Sequence, residues 1–564
     1  MKKMIDKKVE DEIKNLFLNK KYEEVIKFSE KYTVPYKRPS SLSNLIGISK
    51  ILKKNVSETD VQSALDLFEE TYLNDEKGPH GLNGIIHLIT ILLQFNKKYE
   101  NLSRYLSLSI KYYLESEKNF KQNENFLRSG FLLFKYLLNH QNLKEILKYI
   151  LTTNNKSKVL RTWSIIFNNY FYDWSQKDYY EQTKLNAQYF AKFNVSKIDY
   201  KEIDKNKKIN IGFVSPDFDL NHSTIFFLKS VLKNINKEKF RVYIFSFAKK
   251  RSDDLSQNEL RKLADQWYDF ENVDNQQAIN LIQENKIKIL VDLMGYTSPD
   301  RLEIFNSRVC PIQISWLAYC NTTGLDEVDY IISDKNLILD GEENYYSEKV
   351  LKLPEIWNTH FGFNYDRKYN ELKNSNNSSF TFGSLNNFQK ISKETIGIWS
   401  SILKKSENYS LILKSSEFCD YTILLEQFRE HGVNHQIKIL DRTNFKDKKD
   451  HLELYKEIDL ALDTFPYNGV TTTFEALWMN VPVLVLKGFN FNSRCGESII
   501  KNSGLDYFIA KDKDDYIEKA LNIAENKDKL KTYRKNIYDN ILSTPLFDSK
   551  KFTENFQNLL LSLS

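Results

Sequence analysis

The residues with the clearest chemical potential lie in LDTFPYNGVTTTFEALWMNVPVLV, residues 462–485. An apolar strand closes at Asp463, Pro466 and Gly469 shape a turn, and Thr471, Thr472 and Thr473 stand where that turn becomes a helix. Backbone N–H groups at a helix start have no partner within the helix, and threonine hydroxyls beside them complete an anion site suited to a diphosphate. A single threonine there would serve as a helix cap. Three in succession after Asn-Gly at a sheet edge favour a ligand. Glu475, one turn into the helix, is placed to accept bonds from ribose hydroxyls, or to favour the helix by its charge near the N-terminus.

Such a site needs sheets to carry it. After the charged stretch Lys205–Lys208, strand and helix patterns alternate, beginning with INIGFVSPDF (209–218) and continuing through KFRVYIFSFA (239–248), KIKILVDLMGYT (286–297) and CPIQISWLAYC (310–320). Short apolar runs of this kind, buried on both faces, are those of parallel sheets. A second series follows the polar linker KYNELKNSNNSS (368–379): FTFGSLN, YSLILKS, HQIKILD, IDLALDTF and VPVLVLK. Two open parallel sheets in tandem imply a cleft, because ligands bind beyond the carboxyl ends of their strands.

Residues 1–204 instead repeat apolar side chains at three- and four-residue spacing, as amphipathic helices require. YEEVIKFSEKY (22–32) and QSALDLFEETY (62–72) are similar, and aligning Phe28 with Phe68 offsets them by 40 residues, as in a degenerate tetratricopeptide-like array. An irregular helical domain fits the same pattern. The predicted organisation is therefore a helical region (1–204) and two Rossmann-like domains (205–372 and 373–564).

A formal charge of +6, spread over 81 basic and 75 acidic residues, gives no reason to expect a nucleic-acid partner. Cys310, Cys320, Cys419 and Cys495 show neither CxxC pairing nor metal-ligand spacing, which suits a reducing compartment. The most apolar helical run, GIIHLITILLQF (84–95), is too short to span a bilayer, and the start of the chain has no signal-peptide core, so a cytoplasmic protein without a membrane span is expected. The carboxylate clusters DFD (217–219) and DKDD (512–515) read as turn and capping residues, not as a metal site. No dinucleotide or triphosphate loop motif is present.

Five ordered segments, INIGFVSPDF with NHS, ILVDLMGYTSPDR, RVCPIQISWLAYCNTTGLDEVDYIISD, FGSLNNFQKISKETIGIWSSILKKS and LDTFPYNGVTTTFEALWMNVPVLVL, resemble the blocks of the O-linked N-acetylglucosamine transferase/SPINDLY family. The resemblance covers roughly 205–560. It implies a GT-B fold, inversion at the anomeric carbon, a nucleotide-sugar donor, and neither a metal nor another cofactor. By the same resemblance, Lys390 contacts the donor diphosphate, Asn387 lies near those phosphates, His222 faces the reactive end of the cleft, and Lys448 and His451 handle ribose and base. Tyr455, one turn beyond His451, would pack beside it. Asp292, Tyr296, Thr322, Thr323 and Gly324 would line the sugar pocket. A lysine is chemically apt, since departure of a nucleoside diphosphate builds negative charge that a cation must stabilise, and histidine suits proton transfer from an acceptor hydroxyl.

The chain departs from the family pattern at Cys320 and Asn321, where many relatives read Pro-Gly, and at Val470, where the animal enzymes carry histidine. These departures bear on the sugar. The leading expectation is transfer of N-acetylglucosamine from UDP-GlcNAc to serine or threonine of an acceptor polypeptide presented by the helical arm. Fucose from GDP-fucose, glucose from UDP-glucose onto asparagine, and a non-catalytic helical scaffold are the alternatives.

Overall fold

The computed structural model describes residues 3–4, 6–31, 36–37, 40–74, 84, 110–111, 113–115, 117, 121–153, 155–196, 208–218, 222–249, 255–369, 379–414, 421–440 and 447–563. The chain divides into two compact units: residues 1–160 with 417–425, and residues 161–416 with 426–564. The apolar run at 84–95 and Cys419 lie outside the described residues, apart from Gly84.

In the first unit the helices Lys7–Leu18, Tyr22–Glu30, Ser40–Leu52 and Glu58–Asn74 follow one another. The two similar stretches thus fall in the second and fourth of these helices. Ile13, Val25, Leu42 and Ile46 form their shared core, with Phe28 packed against it. Helices Glu124–Tyr136 and His140–Thr152 follow, each started by an asparagine whose side chain accepts an amide proton of the first turn.

The second unit begins at Arg161, ahead of the change in sequence pattern near residue 205. The reason is a set of hydrogen bonds across chain distance: Ala191 N to Glu303 Oε1 at 3.0 Å, Phe193 N to Ser307 Oγ at 2.8 Å, and Asn306 Nδ2 to the Phe190 carbonyl at 3.0 Å. The segment is helical like the part before it, so composition alone does not reveal that it belongs with the sheets.

Its first sheet comprises β1 (Ile209–Ser215), β2 (Phe240–Ser246), β3 (Gln266–Asp269), β4 (Ile289–Asp292), β5 (Ile312–Ser315), β6 (Tyr330–Asp334) and β7 (Lys349–Leu353). All pairs are parallel, in the order β3-β2-β1-β4-β5-β6-β7. The second sheet has β8 (Phe380–Ser384), β9 (Tyr409–Lys414), β10 (Ile437–Leu440), β11 (Leu460–Leu462), β12 (Val483–Leu486) and β13 (Ile509–Ala510). It is also parallel, ordered β10-β9-β8-β11-β12-β13. Each sheet reverses direction once, between β1 and β4 and between β8 and β11. Those switch points are where loops diverge and leave room for a ligand. The GT-B arrangement expected from the sequence is the one adopted.

The last helix, Ser549–Leu563, returns to the first sheet's domain. Asn236 N donates to Gln557 Oε1 at 3.1 Å, and the Phe556 ring lies 4.6 Å from Trp316. No described helix is long and apolar enough to cross a membrane.

Candidate active site

Both switch points carry sequence-selected residues. At the second, Asp463 follows β11, and Asn386, Asn387 and Lys390 follow β8. The Thr471–Trp478 helix starts with Thr473 and Phe474 donating to the Val470 carbonyl at 3.1 Å each, so the amides of Thr471 and Thr472 precede its ladder. Thr472 Oγ1 donates to Asn386 Oδ1 at 2.7 Å, and Thr473 Oγ1 to the Gly469 carbonyl at 2.8 Å. Gly469 is tightly enclosed: a Cβ there would come within 2.3 Å of Thr472 Oγ1 and 2.5 Å of Asn386 Oδ1.

Lys390 reaches the same turn. Its Nζ donates to the Asn468 carbonyl at 2.8 Å and stands 4.2 Å from the centre of the Tyr467 ring. An ammonium is thus held over the loop that leads into the helix start. Asn387 caps the short turn before Lys390, its Oδ1 accepting from Gln389 N at 3.0 Å, whereas Asn386 faces the threonines.

Asp463 and Asn386 are the residues that sequence reasoning left without a functional role. The Asp463 carboxylate accepts at Oδ1 from Thr464 N at 2.9 Å, Gly469 N at 2.8 Å and Asn386 Nδ2 at 3.1 Å. Its Oδ2 is buried without a hydrogen-bond partner. Burial pushes this carboxyl up to about 7, against the opposing pull of the Gly469 amide and Lys390. The only sequence signal was a carboxylate closing an apolar strand.

Glu475 is almost fully buried and anchors a cluster. Lys448 Nζ binds one carboxylate oxygen, while His451 Nε2 at 2.8 Å and the Tyr455 hydroxyl at 3.2 Å share the other. Burial alone would raise the Glu475 carboxyl, but His451 and Lys448 hold it well below the usual range. Lys414 Nζ lies 2.8 Å from His451 Nδ1. An ammonium has no acceptor, so Nδ1 accepts from Lys414 and Nε2 carries the proton given to Glu475. The Glu475 oxygens are therefore engaged within the protein, and the outward-facing member is Lys448, 43% exposed. The rings of His451 and Tyr455 pack edge to face at 6.0 Å.

At the first switch point, His222 precedes the Ser223–Asn234 helix without a side-chain cap bond, and its side chain is 45% exposed. Its Nε2 lies 3.7 Å from Asp217 Oδ1. Burial raises the Asp217 carboxyl while His222 opposes the rise. Asp217, a turn carboxylate by sequence, is thus also the neighbour that orients the histidine. Asp512 of the second carboxylate cluster caps a helix, accepting from Asp515 N at 2.9 Å.

The residues expected around the sugar lie deeper. Asp292 accepts from the amides of Met294 at 2.9 Å and Gly295 at 3.0 Å, and burial pushes its carboxyl up to about 6. The Tyr296 hydroxyl donates to the Thr323 carbonyl at 3.0 Å. Thr322 Oγ1 donates to Glu348 Oε2 at 2.8 Å, and Thr323 donates to Glu348 Oε1 through its amide at 2.7 Å and through its hydroxyl. Gly324 takes φ +73° with the Thr183 carbonyl oxygen 2.6 Å from where a Cβ would stand. A buried polar group must find a partner, and here Glu348 supplies it. Asp292, Tyr296, Thr322, Thr323 and Gly324 buttress the loops from behind, with their polar atoms engaged internally.

The arrangement, an ammonium and a threonine-rich helix start on one sheet and a histidine–carboxylate pair at the switch point of the other, suits transfer of a group from a phosphorylated carrier. The family model described as Glycosyl transferase family 41 matches residues 189–376 and 366–556. The chain belongs to glycosyl transferase family 41. This family 41 chain is 30% identical over 363 residues to a probable UDP-N-acetylglucosamine–peptide N-acetylglucosaminyltransferase SPINDLY of Solanum lycopersicum, covering 63% of this chain and 38% of that protein. It is 28% identical over 366 residues to the probable UDP-N-acetylglucosamine–peptide N-acetylglucosaminyltransferase SEC of Arabidopsis thaliana, covering 62% and 36%. The chain spans about two fifths of the length of the curated relatives it matches. A mutant O-GlcNAc transferase of Thermobaculum terrenum shares the fold, with a TM-score of 0.74 over 93% of this chain and 98% of that one at 21% identity.

Proposed function

We propose that this family 41 chain transfers N-acetylglucosamine from UDP-GlcNAc to serine or threonine hydroxyls of polypeptides, with inversion and without a metal or other cofactor. The observation that carries the reading is the convergence of Lys390 and the Thr471–Thr473 helix start on one turn, Tyr467–Gly469. The names carried by its relatives support the sugar and the protein acceptor. The acceptor oxygen attacks the anomeric carbon opposite the diphosphate, the bond from that carbon to the phosphate oxygen breaks, and UDP departs. Negative charge grows on the diphosphate, where Lys390 and the helix-start amides stabilise it. His222 takes the hydroxyl proton at a ring nitrogen, with Asp217 favouring the imidazolium that results. Lys448, held by Glu475, meets the nucleoside side of the donor.

Intact-mass analysis of proteins co-expressed with the wild-type chain or with Lys390→Ala tests this reading, beside hydrolysis assays with UDP-GlcNAc, UDP-glucose and GDP-fucose. An N-acetylhexosamine mass increment that depends on Lys390, and a preference for UDP-GlcNAc, are expected. A fucose or hexose increment would replace the sugar assignment. Equal transfer by Lys390→Ala would overturn the diphosphate assignment.

A further inference from the structure

Two of the chain's thiols meet beside the proposed donor site. Cys320 lies in the loop after β5, and Cys495 lies on the Phe491–Asn502 helix that follows β12. Both are free thiols. Neighbouring contacts bring their segments to one turn: Asn321 Nδ2 lies 3.4 Å from Asn169 Oδ1, the adjacent Tyr170 ring stacks on Tyr467 at 4.9 Å, and Gly496 N donates to Asn468 Oδ1 at 3.1 Å. The thiols hydrogen-bond each other there, and Tyr467 feels both. Cys320 is partly exposed and Cys495 is buried, its Sγ also 3.4 Å from the Phe491 carbonyl. Cys310, by contrast, is buried against the Ile312 carbonyl at 3.1 Å, with its thiol pushed up to about 12 by burial.

We propose that Cys320 and Cys495 form a reversible disulfide under peroxide, clasping the loop after β5 to the Phe491–Asn502 helix and shutting down the site beside it. The Cys320 thiolate attacks a peroxide oxygen, the O–O bond breaks, and a sulfenic acid and one water result. Cys495 sulfur then attacks the Cys320 sulfur. The S–O bond breaks, and the departing hydroxide takes the Cys495 proton as a second water. Two thiols lose two electrons, and hydrogen peroxide gains them. The bond draws the Cys320 loop and the Cys495 helix together around Tyr467, over which Lys390 lies, so its effect on transfer rests on the function proposed above.

The test treats the full-length chain with hydrogen peroxide, blocks remaining thiols, and maps peptides without reduction. The expected result is a Cys320–Cys495 cross-linked peptide, loss of two hydrogen atoms from the intact mass, and return to the thiol state with dithiothreitol. Donor turnover is expected to fall at least tenfold on oxidation and to recover on reduction, while Cys495→Val stays active under peroxide. Over-oxidised Cys320 beside an unmodified Cys495 would overturn the proposal, as would a cross-link that leaves turnover unchanged. Because peptide mapping needs no turnover, failure of the sugar-transfer reading would show separately.

Discussion

At the residue scale, two buried carboxyls of the second sheet's domain titrate in opposite directions. Asp463 has a folded pKa of about 7, above its unfolded value of about 3.9. Its contribution to stability is therefore fully present below pH 4 and is lost as pH rises through about 7. Thermal melts of Asp463→Asn are expected to lose less stability between pH 5 and pH 8 than the wild type, by roughly 1–3 kcal/mol. An unchanged slope would show that Asp463 is ionised throughout. Glu475 works the other way: held low by its cationic partners, it stabilises above the ordinary carboxylate range and that contribution is lost on acidification. Lys390→Ala is expected to cost about 100- to 1,000-fold in turnover without unfolding the chain, the usual scale for removing a group that stabilises transition-state charge. Steady-state rates with parallel melting curves check both halves. Lys390, the threonines and Glu475 were legible in the sequence from residue types at a strand-to-helix turn and from family blocks. Asn386 and Asp463 were not, because their roles depend on partners 86 and 77 residues away.

At the element scale, the cradle depends on a turn that tolerates no side chain at Gly469. Gly469→Ala is expected to displace Thr472 and Asn386 and to weaken UDP binding at least tenfold, while the core strands β8 and β11 stay paired. Calorimetric titration beside a circular dichroism spectrum separates the two effects. Gly324→Ala meets the backbone carbonyl of Thr183 and a left-handed conformation together, and is expected to destabilise by about 1–3 kcal/mol with little direct effect on donor affinity. The contrast follows from position, since one glycine faces a ligand turn and the other a buried carbonyl. Strand patterning revealed both sheets and their parallel sense because short apolar runs bounded by turns have few other solutions. It did not reveal that Thr322 and Thr323 turn inward, because Glu348 lies 25 or more residues further on.

At the scale of the whole second unit, the two sheets are tied by elements that cross between their domains. Arg494 binds the Glu342 carboxylate through both terminal nitrogens, and Ser498 Oγ donates to Asp334 Oδ2 at 2.7 Å. The last helix carries Phe556 into the core beside Trp316. Phe556→Ala is expected to cost about 3–5 kcal/mol, read from denaturant unfolding, because it opens a cavity where the two domains meet. The sequence identified this helix only as amphipathic. Its return to the first domain is a tertiary fact that local periodicity does not encode.

The central claim is that the turn joining Lys390 to the Thr471–Trp478 helix holds the diphosphate of a uridine donor. Calorimetric titration of UDP into the wild-type chain and into Lys390→Ala tests it most directly. Saturable binding by the wild type, weakened at least tenfold in a folded Lys390→Ala chain, is the expected result. Equal affinity in the two proteins, or no binding of UDP to the wild type at millimolar concentration, would contradict it.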